Sequence, residues 1–364
     1  MAYGTRWTRP LAGAALALTA ALAAAGCSPA HPASTTAGAS GAGGAPAVTT
    51  AQARQVFGAY VAAAAQAAAS GDSSLLLAHV TGVQKQTVFA EVKAAQAGAG
   101  GLARYSYGTP AFYLTQPDGY PRWFVASVRR TLAGQPGIPG GTAGVPLPAT
   151  GQVLMVFEQN SLTSPWLLAS ESQLPPGDAV PPLAVNSAGY VATVPLSSGA
   201  QLARPDVTGP LQAAVVDDGP ASPAAKVVAA GDLTTGIYDA ARSAVTGLTA
   251  PPGDVYQWEL EGSNDTKWAL RTADGGALVF YGMYLNKIVE VPAVLNKGVV
   301  TPGPAITVPG YLDFLLKPGQ AAPREMLEAQ DLLSFAAVDP PAGAQKITVI
   351  AVGGGLDYAD AVTG

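Results

Sequence analysis

The sequence has one cysteine and two histidines, and each shortage closes off a class of chemistry. A single Cys excludes an internal disulfide and any multi-cysteine metal site. Two His leave almost no room for a His-rich zinc centre. Charged residues make up 12% of the chain, about half the roughly 25% usual in soluble domains. Lys+Arg 19 against Asp+Glu 24 gives a net charge of −5, whereas a nucleic-acid partner needs a basic face. What is plentiful is apolar and turn-forming material: 49% hydrophobic residues, 43 Gly and 31 Pro in 364 residues. That is enough for a sizeable core and two domains, rich in strands and turns rather than a helix bundle. Nothing in these counts names a substrate.

The N-terminus carries an address. Met1 to Pro10 holds Arg6 and Arg9 and no acid, and Leu11 to Gly26 is 16 residues without a charge. A membrane span needs about 20 apolar residues. A basic start, a short apolar run and small residues make a secretory signal instead. Arg6 and Arg9 are not adjacent, so the general export route is expected rather than a twin-arginine one.

The apolar run ends Leu22-Ala23-Ala24-Ala25-Gly26-Cys27. This resembles the lipobox of bacterial lipoproteins, in which small residues precede a Cys that becomes the new N-terminus. The resemblance implies a diacylglyceryl group on Cys27 and a further acyl chain, such as palmitate, on the new amine. The other reading is ordinary cleavage after Ala23-Ala24-Ala25, leaving a free thiol. An unpaired Cys is a liability in an oxidising compartment, and two acyl chains meet the condition for stable anchoring. Ser28 to Val48 has no charge and no large apolar residue except Val48. It reads as a tether of about 25 Å r.m.s. span. His31 sits inside it and is not expected to bind metal.

Beyond the tether, residues 49–195 and 196–364 read as two similar α+β domains. Thr49-x-x-Gln52 is a capping box, followed by Val56, Phe57, Tyr60, Val61 and Ala64 at helical spacing and a stop at Gly71. Helices are expected over Ser73–Val80 and Val83–Ala97, then strands over Arg104–Leu114, Trp123–Arg130, Val153–Gln159 and Trp166–Leu174. Leu132 to Ala149 reads as an exposed Gly/Pro arm. In the second half helices are expected over Asp206–Val216 and Asp232–Val245, and strands over Val255–Glu261, Lys267–Thr272, Ala277–Ile288, Met326–Val338 and Lys346–Val352. The segment Leu114–Arg130, with its Asp118-Gly119 turn, matches Leu270–Lys287, with its Asp274-Gly275 turn. Helices followed by a curved antiparallel sheet, twice over, resemble the NTF2-like or cystatin-like α+β cone. The whole layout also resembles uncharacterised lipoproteins of high-GC actinobacteria, a family without a catalytic motif to transfer.

Candidate chemistry is sparse. Gly353-Gly354-Gly355 follows a strand, but Tyr358 stands where a dinucleotide fingerprint wants Gly. Glu259 and Glu261 share one face of a strand, as paired catalytic carboxylates or as a solvated edge. Asp217-Asp218-Gly219 is an acidic turn without an alternating calcium-loop pattern. Asp72 and His79 are the remaining pair: seven residues on a short helix can align them for proton transfer, as in some NTF2-like enzymes. Asp72 equally suits an N-cap, and His79 lies beside Leu75, Leu76 and Leu77. Trp123, Trp166, Trp258 and Trp268, with Tyr113, Phe124, Phe157, Tyr281 and Tyr284, suit core packing or apolar pocket walls.

The expectation is therefore a lipoprotein anchored through Cys27 on the outer face of the cytoplasmic membrane. Its body reads as a non-catalytic binding or scaffold module for an envelope protein or small apolar ligand, with no cofactor, metal or nucleic acid. The alternative is a cofactor-free enzyme using Asp72 and His79.

Overall fold

Thr49 caps the first helix as the sequence requires: its hydroxyl accepts the Gln52 N–H at 3.1 Å. The computed structural model describes residues 47–99, 102–133, 145, 147–247, 255–291, 294–296, 299–301, 305–309, 312–320, 323–343 and 345–362. The expected signal, Cys27 and the tether with His31 lie outside them. Helix α1 (Thr50–Ser70) buries Ala53, Phe57, Tyr60 and Ala67, and Gly71 ends it in the left-handed conformation at φ 71°. A short α2 (Ser74–Leu77) leads to α3 (Gly82–Gln96), which buries Val83, Thr87, Val88 and Val92 among others.

The strands follow as β1 (Tyr105–Tyr107), β2 (Ala111–Leu114), β3 (Arg122–Leu132), β4 (Thr150–Gln159) and β5 (Leu167–Gln173). Then come α4 (Thr208–Asp218), α5 (Thr235–Gly247), β6 (Val255–Gly262), β7 (Trp268–Arg271) and β8 (Ala277–Glu290). A small hairpin of β9 (Val294–Asn296) and β10 (Val299–Thr301) precedes β11 (Met326–Asp339) and β12 (Thr348–Val362). All strands but the small hairpin belong to one antiparallel sheet, ordered β1-β3-β4-β5-β12-β11-β8-β6. In it β2 also pairs β3, and β7 also pairs β8. The α+β class is as expected, but the sheet is continuous. Its centre is the pairing of Val352 on β12 with Gln173 on β5.

Alternation along the strands sorts the core into faces. Phe124, Ala126, Val128, Met155 and Phe157 face α1 and α2. Tyr281, Met283, Leu285 and Phe335 face α4 and α5. The opposite faces, with Trp123, Val125, Leu154, Trp268, Leu278 and Phe280, form one shared cluster. Most of the singled-out aromatics are thus core. Trp166 falls just outside β5, its indole Nε1 buried without a hydrogen bond.

Three expectations need correction. The strand expected over Arg104–Leu114 is two strands, because Pro110 supplies no ladder N–H and Gly108 turns back to the Arg129 carbonyl. The arm expected to be exposed is anchored in its described part: Val145 is buried, and Leu147 packs against the α4/α5 core. Residues 134–144 and 146 lie outside the described residues. Strand β12 does not stop at Val352 but continues ten residues, through the Gly353-Gly354-Gly355 run. These glycines are contact points, not a phosphate loop. A Cβ on Gly355 would stand 2.8 Å from Thr87 Cγ2 of α3, and the first two would run into backbone of β5 and β11.

Candidate functional site

Burying charge is expensive unless it is paired, so a buried ion pair that borders open volume is a candidate site. Arg130, on the helix-facing side of β3, extends into a cavity of about 330 Å³ between α1, α3, β1, β5 and the glycine run of β12. Its Nη1 forms an ion pair with Glu171 Oε1 of β5, both side chains about nine-tenths buried. Nη2 donates to Gln173 Oε1 at 3.2 Å, and the guanidinium lies 4.0 Å from the Tyr105 ring centroid. Tyr107 is a further hydrogen-bond partner of the guanidinium. Burial alone would lower the Arg130 pKa, but Glu171 and the tyrosines hold it above its ordinary value.

Two more ionisable groups of the helices face the same space. Glu91 of α3 is pushed up to about 7 by burial and by the Glu171 charge, with Arg130 opposing. Tyr60 of α1 is raised well above its usual value, chiefly by burial. Among the described residues the cavity therefore holds one guanidinium, two carboxyl groups and three phenols. Such a set can bind a polar group and orient it against aromatic walls.

The residues singled out from sequence lie elsewhere. Asp72 is exposed, and its carboxylate accepts the Ser74 N–H at 3.1 Å; the N-cap of α2 is the next residue, Ser73, which makes no side-chain capping bond. His79 is half-buried and lines a separate groove with Trp166, Phe157 and Gln52, a groove that Asp72 does not line. Its backbone is committed: the N–H donates to the Leu76 carbonyl, and its carbonyl accepts from Leu168. Glu259 and Glu261 are exposed on edge strand β6, near Asp217 at the end of α4. Asp217 accepts the Leu260 N–H at 2.9 Å and is pushed up to about 6 by burial, partly offset by that bond. Among the described residues no group of three or more His, Cys, Asp or Glu is arranged to hold a metal ion.

Glu91, Arg130, Glu171 and Tyr60 were not apparent as a site. One signal was present: Arg130 and Glu171 are charges inside segments that otherwise read as buried strand.

The profile of a domain of unknown function, DUF8094, matches residues 44–356. The chain belongs to that family. It is 28% identical over 258 residues to an uncharacterized lipoprotein of Streptomyces coelicolor, covering 64% of this chain and 65% of that protein. The chain thus spans just under two thirds of that relative. It is 26% identical over 322 residues to an uncharacterized lipoprotein of Streptomyces avermitilis, covering 86% of each. No solved structure matches. Among the described residues no helix is long and apolar enough to cross a membrane.

Proposed function

We propose that this chain is an exported lipoprotein, anchored through Cys27 to the outer face of the cytoplasmic membrane, whose body binds a small ligand without transforming it. The lipoprotein descriptions of both relatives support the anchor, as do the small residues that precede Cys27. One observation carries the binding role: the Arg130–Glu171 pair is held inside a cavity rather than packed away. A pair kept for stability alone is readily replaced by apolar packing. Here the pair faces open volume beside Glu91.

The test is ligand-observed NMR of a small-fragment library against the mature chain beginning at Cys27. Ala64 of α1 lines the cavity, so Ala64→Phe obstructs part of it without removing a polar group. Hits that vanish in this variant, with its melting temperature retained, support the reading. A library without a single hit sensitive to Ala64→Phe overturns it.

We further infer that the body is a tandem of two NTF2-like or cystatin-like halves, residues 49–195 and 196–364. Supporting this, the sheet reads outward from its centre as β5-β4-β3 on one side and β12-β11-β8 on the other. On each side the last of these strands pairs two further strands, β1 and β2 on β3, and β6 and β7 on β8. The α4/α5 side of the sheet is filled by core side chains, with Val145 and Leu147 of the first half among them, while the α1/α3 side keeps a cavity that β12 of the second half helps to line.

A further inference from the structure

Resting on the reading that the cavity takes a ligand, we propose that this ligand is a small organic ammonium whose apolar body lies against the alanine face of α1. Facing the cavity are Arg130 from β3, Glu171 from β5 and Glu91 from α3, together with the phenols of Tyr60, Tyr105 and Tyr107. One fixed cation therefore meets two carboxyls. The guanidinium is already committed to Glu171, Gln173, Tyr107 and the face of Tyr105. Glu91 has no hydrogen-bond or ion-pair partner among the described residues, so it is the acceptor left over. An ammonium between Glu91 and Glu171 balances the charge and satisfies that acceptor. Phenol faces also suit a cation, through the ring quadrupole. A carboxylate ligand would instead have to displace Glu171 from Arg130 while facing Glu91.

The shape of the site agrees with its charge. Adjoining the cavity, and sharing Ala64, Ala103, Tyr105 and Tyr107 with it, is a groove of about 210 Å³ walled by Val61, Ala65 and Ala68. Among the described residues its one charge is Arg104, whose Nη2 donates to the Ala68 carbonyl at 2.8 Å. A cation at that end is repelled, which orients the ligand: ammonium toward Glu91, apolar body along the alanines. Glu91 ionises near pH 7, so affinity for an ammonium rises across neutrality.

The experiment is calorimetry of the mature chain with hexylammonium, hexanol and hexanoate, three head groups on one tail, at pH 5.5 and pH 8. The expected result at pH 8 is hexylammonium binding about tenfold more tightly than either of the others. That preference shrinks at pH 5.5, and Glu91→Gln removes it at pH 8. Hexanoate binding most tightly, or all three binding equally at pH 8, overturns the ammonium assignment and leaves the cavity reading standing. Absence of any binding sensitive to Ala64→Phe overturns both.

Discussion

Arg130 and Lys287 have the same surroundings on two different strands. Directly across the ladder from Arg130 on β3 stands Tyr107 of edge strand β1, and across from Lys287 on β8 stands Trp258 of edge strand β6. Each cation has an aromatic face nearby, Tyr105 at 4.0 Å and Trp258 at 5.3 Å. Each is also paired with an acid, Glu171 for Arg130 and Asp331 for Lys287. The difference is what lies beside them: the first pair borders a cavity, and the second sits against the α4/α5 core.

That difference predicts unequal roles. Lys287 Nζ lies 2.6 Å from Asp331 Oδ2, and Asp331 is only 1% exposed. Lys287→Met strands that carboxylate, so the free energy of unfolding should fall by about 3 kcal/mol. Adding Asp331→Leu should recover much of the loss, since an apolar pair replaces the ion pair without a buried charge. Urea denaturation checks both, and a single variant as stable as the wild type contradicts the account.

Glu91 makes stability depend on pH in a defined window. Its folded pKa of about 7 lies above the ordinary 4.5, so the native state holds the proton longer than the unfolded chain. Its contribution is intact below pH 4.5, declines as pH rises and is fully lost above about 7. Glu91→Gln removes this term. Relative to wild type, the variant should gain about 3 kcal/mol between pH 4.5 and pH 8. Denaturation at the two pH values measures it, and a constant difference refutes the raised pKa.

At Gly355 the packing of α3 on β12 leaves no room for a side chain. With 2.8 Å between an added Cβ and Thr87 Cγ2, Gly355→Ala should cost about 1–3 kcal/mol. Thr87→Ser deletes that methyl and keeps the hydroxyl bonded to the Val83 carbonyl at 3.2 Å, so the double variant should be less destabilised than the single. A non-additive double-mutant cycle is the expected signature.

His79 should matter to packing more than to activity. It is half-buried in a groove that Asp72 does not line, and His79→Ala should cost about 1 kcal/mol. Loss of a cellular phenotype in a variant that stays folded and abundant would contradict this.

How much of this was legible follows from where each signal resides. The α1 boundaries were readable because Thr49, Gln52 and Gly71 act within a few residues of themselves. The strands were readable because alternation is a property of each segment. The break between β1 and β2 was written in Pro110 but outweighed by the aromatic run around it. The extension of β12 was not readable, because three glycines signal a loop locally and only Thr87 and the strand neighbours explain them. The site was hidden for the same reason. Arg130 and Glu171 are 41 residues apart, and only sheet register and the placement of α3 bring Glu91 toward them.

The central claim is that this body is held at the membrane by lipid on Cys27. The direct measurement is mass spectrometry of the mature N-terminal peptide from the membrane fraction, for wild type and for Cys27→Ser. The account predicts a wild-type peptide beginning at Cys27 and carrying diacylglyceryl and acyl mass. In the variant those adducts should be absent, with the protein either uncleaved or released to the medium. A wild-type N-terminus at Ser28 or earlier than Cys27, without lipid on the thiol, would contradict it.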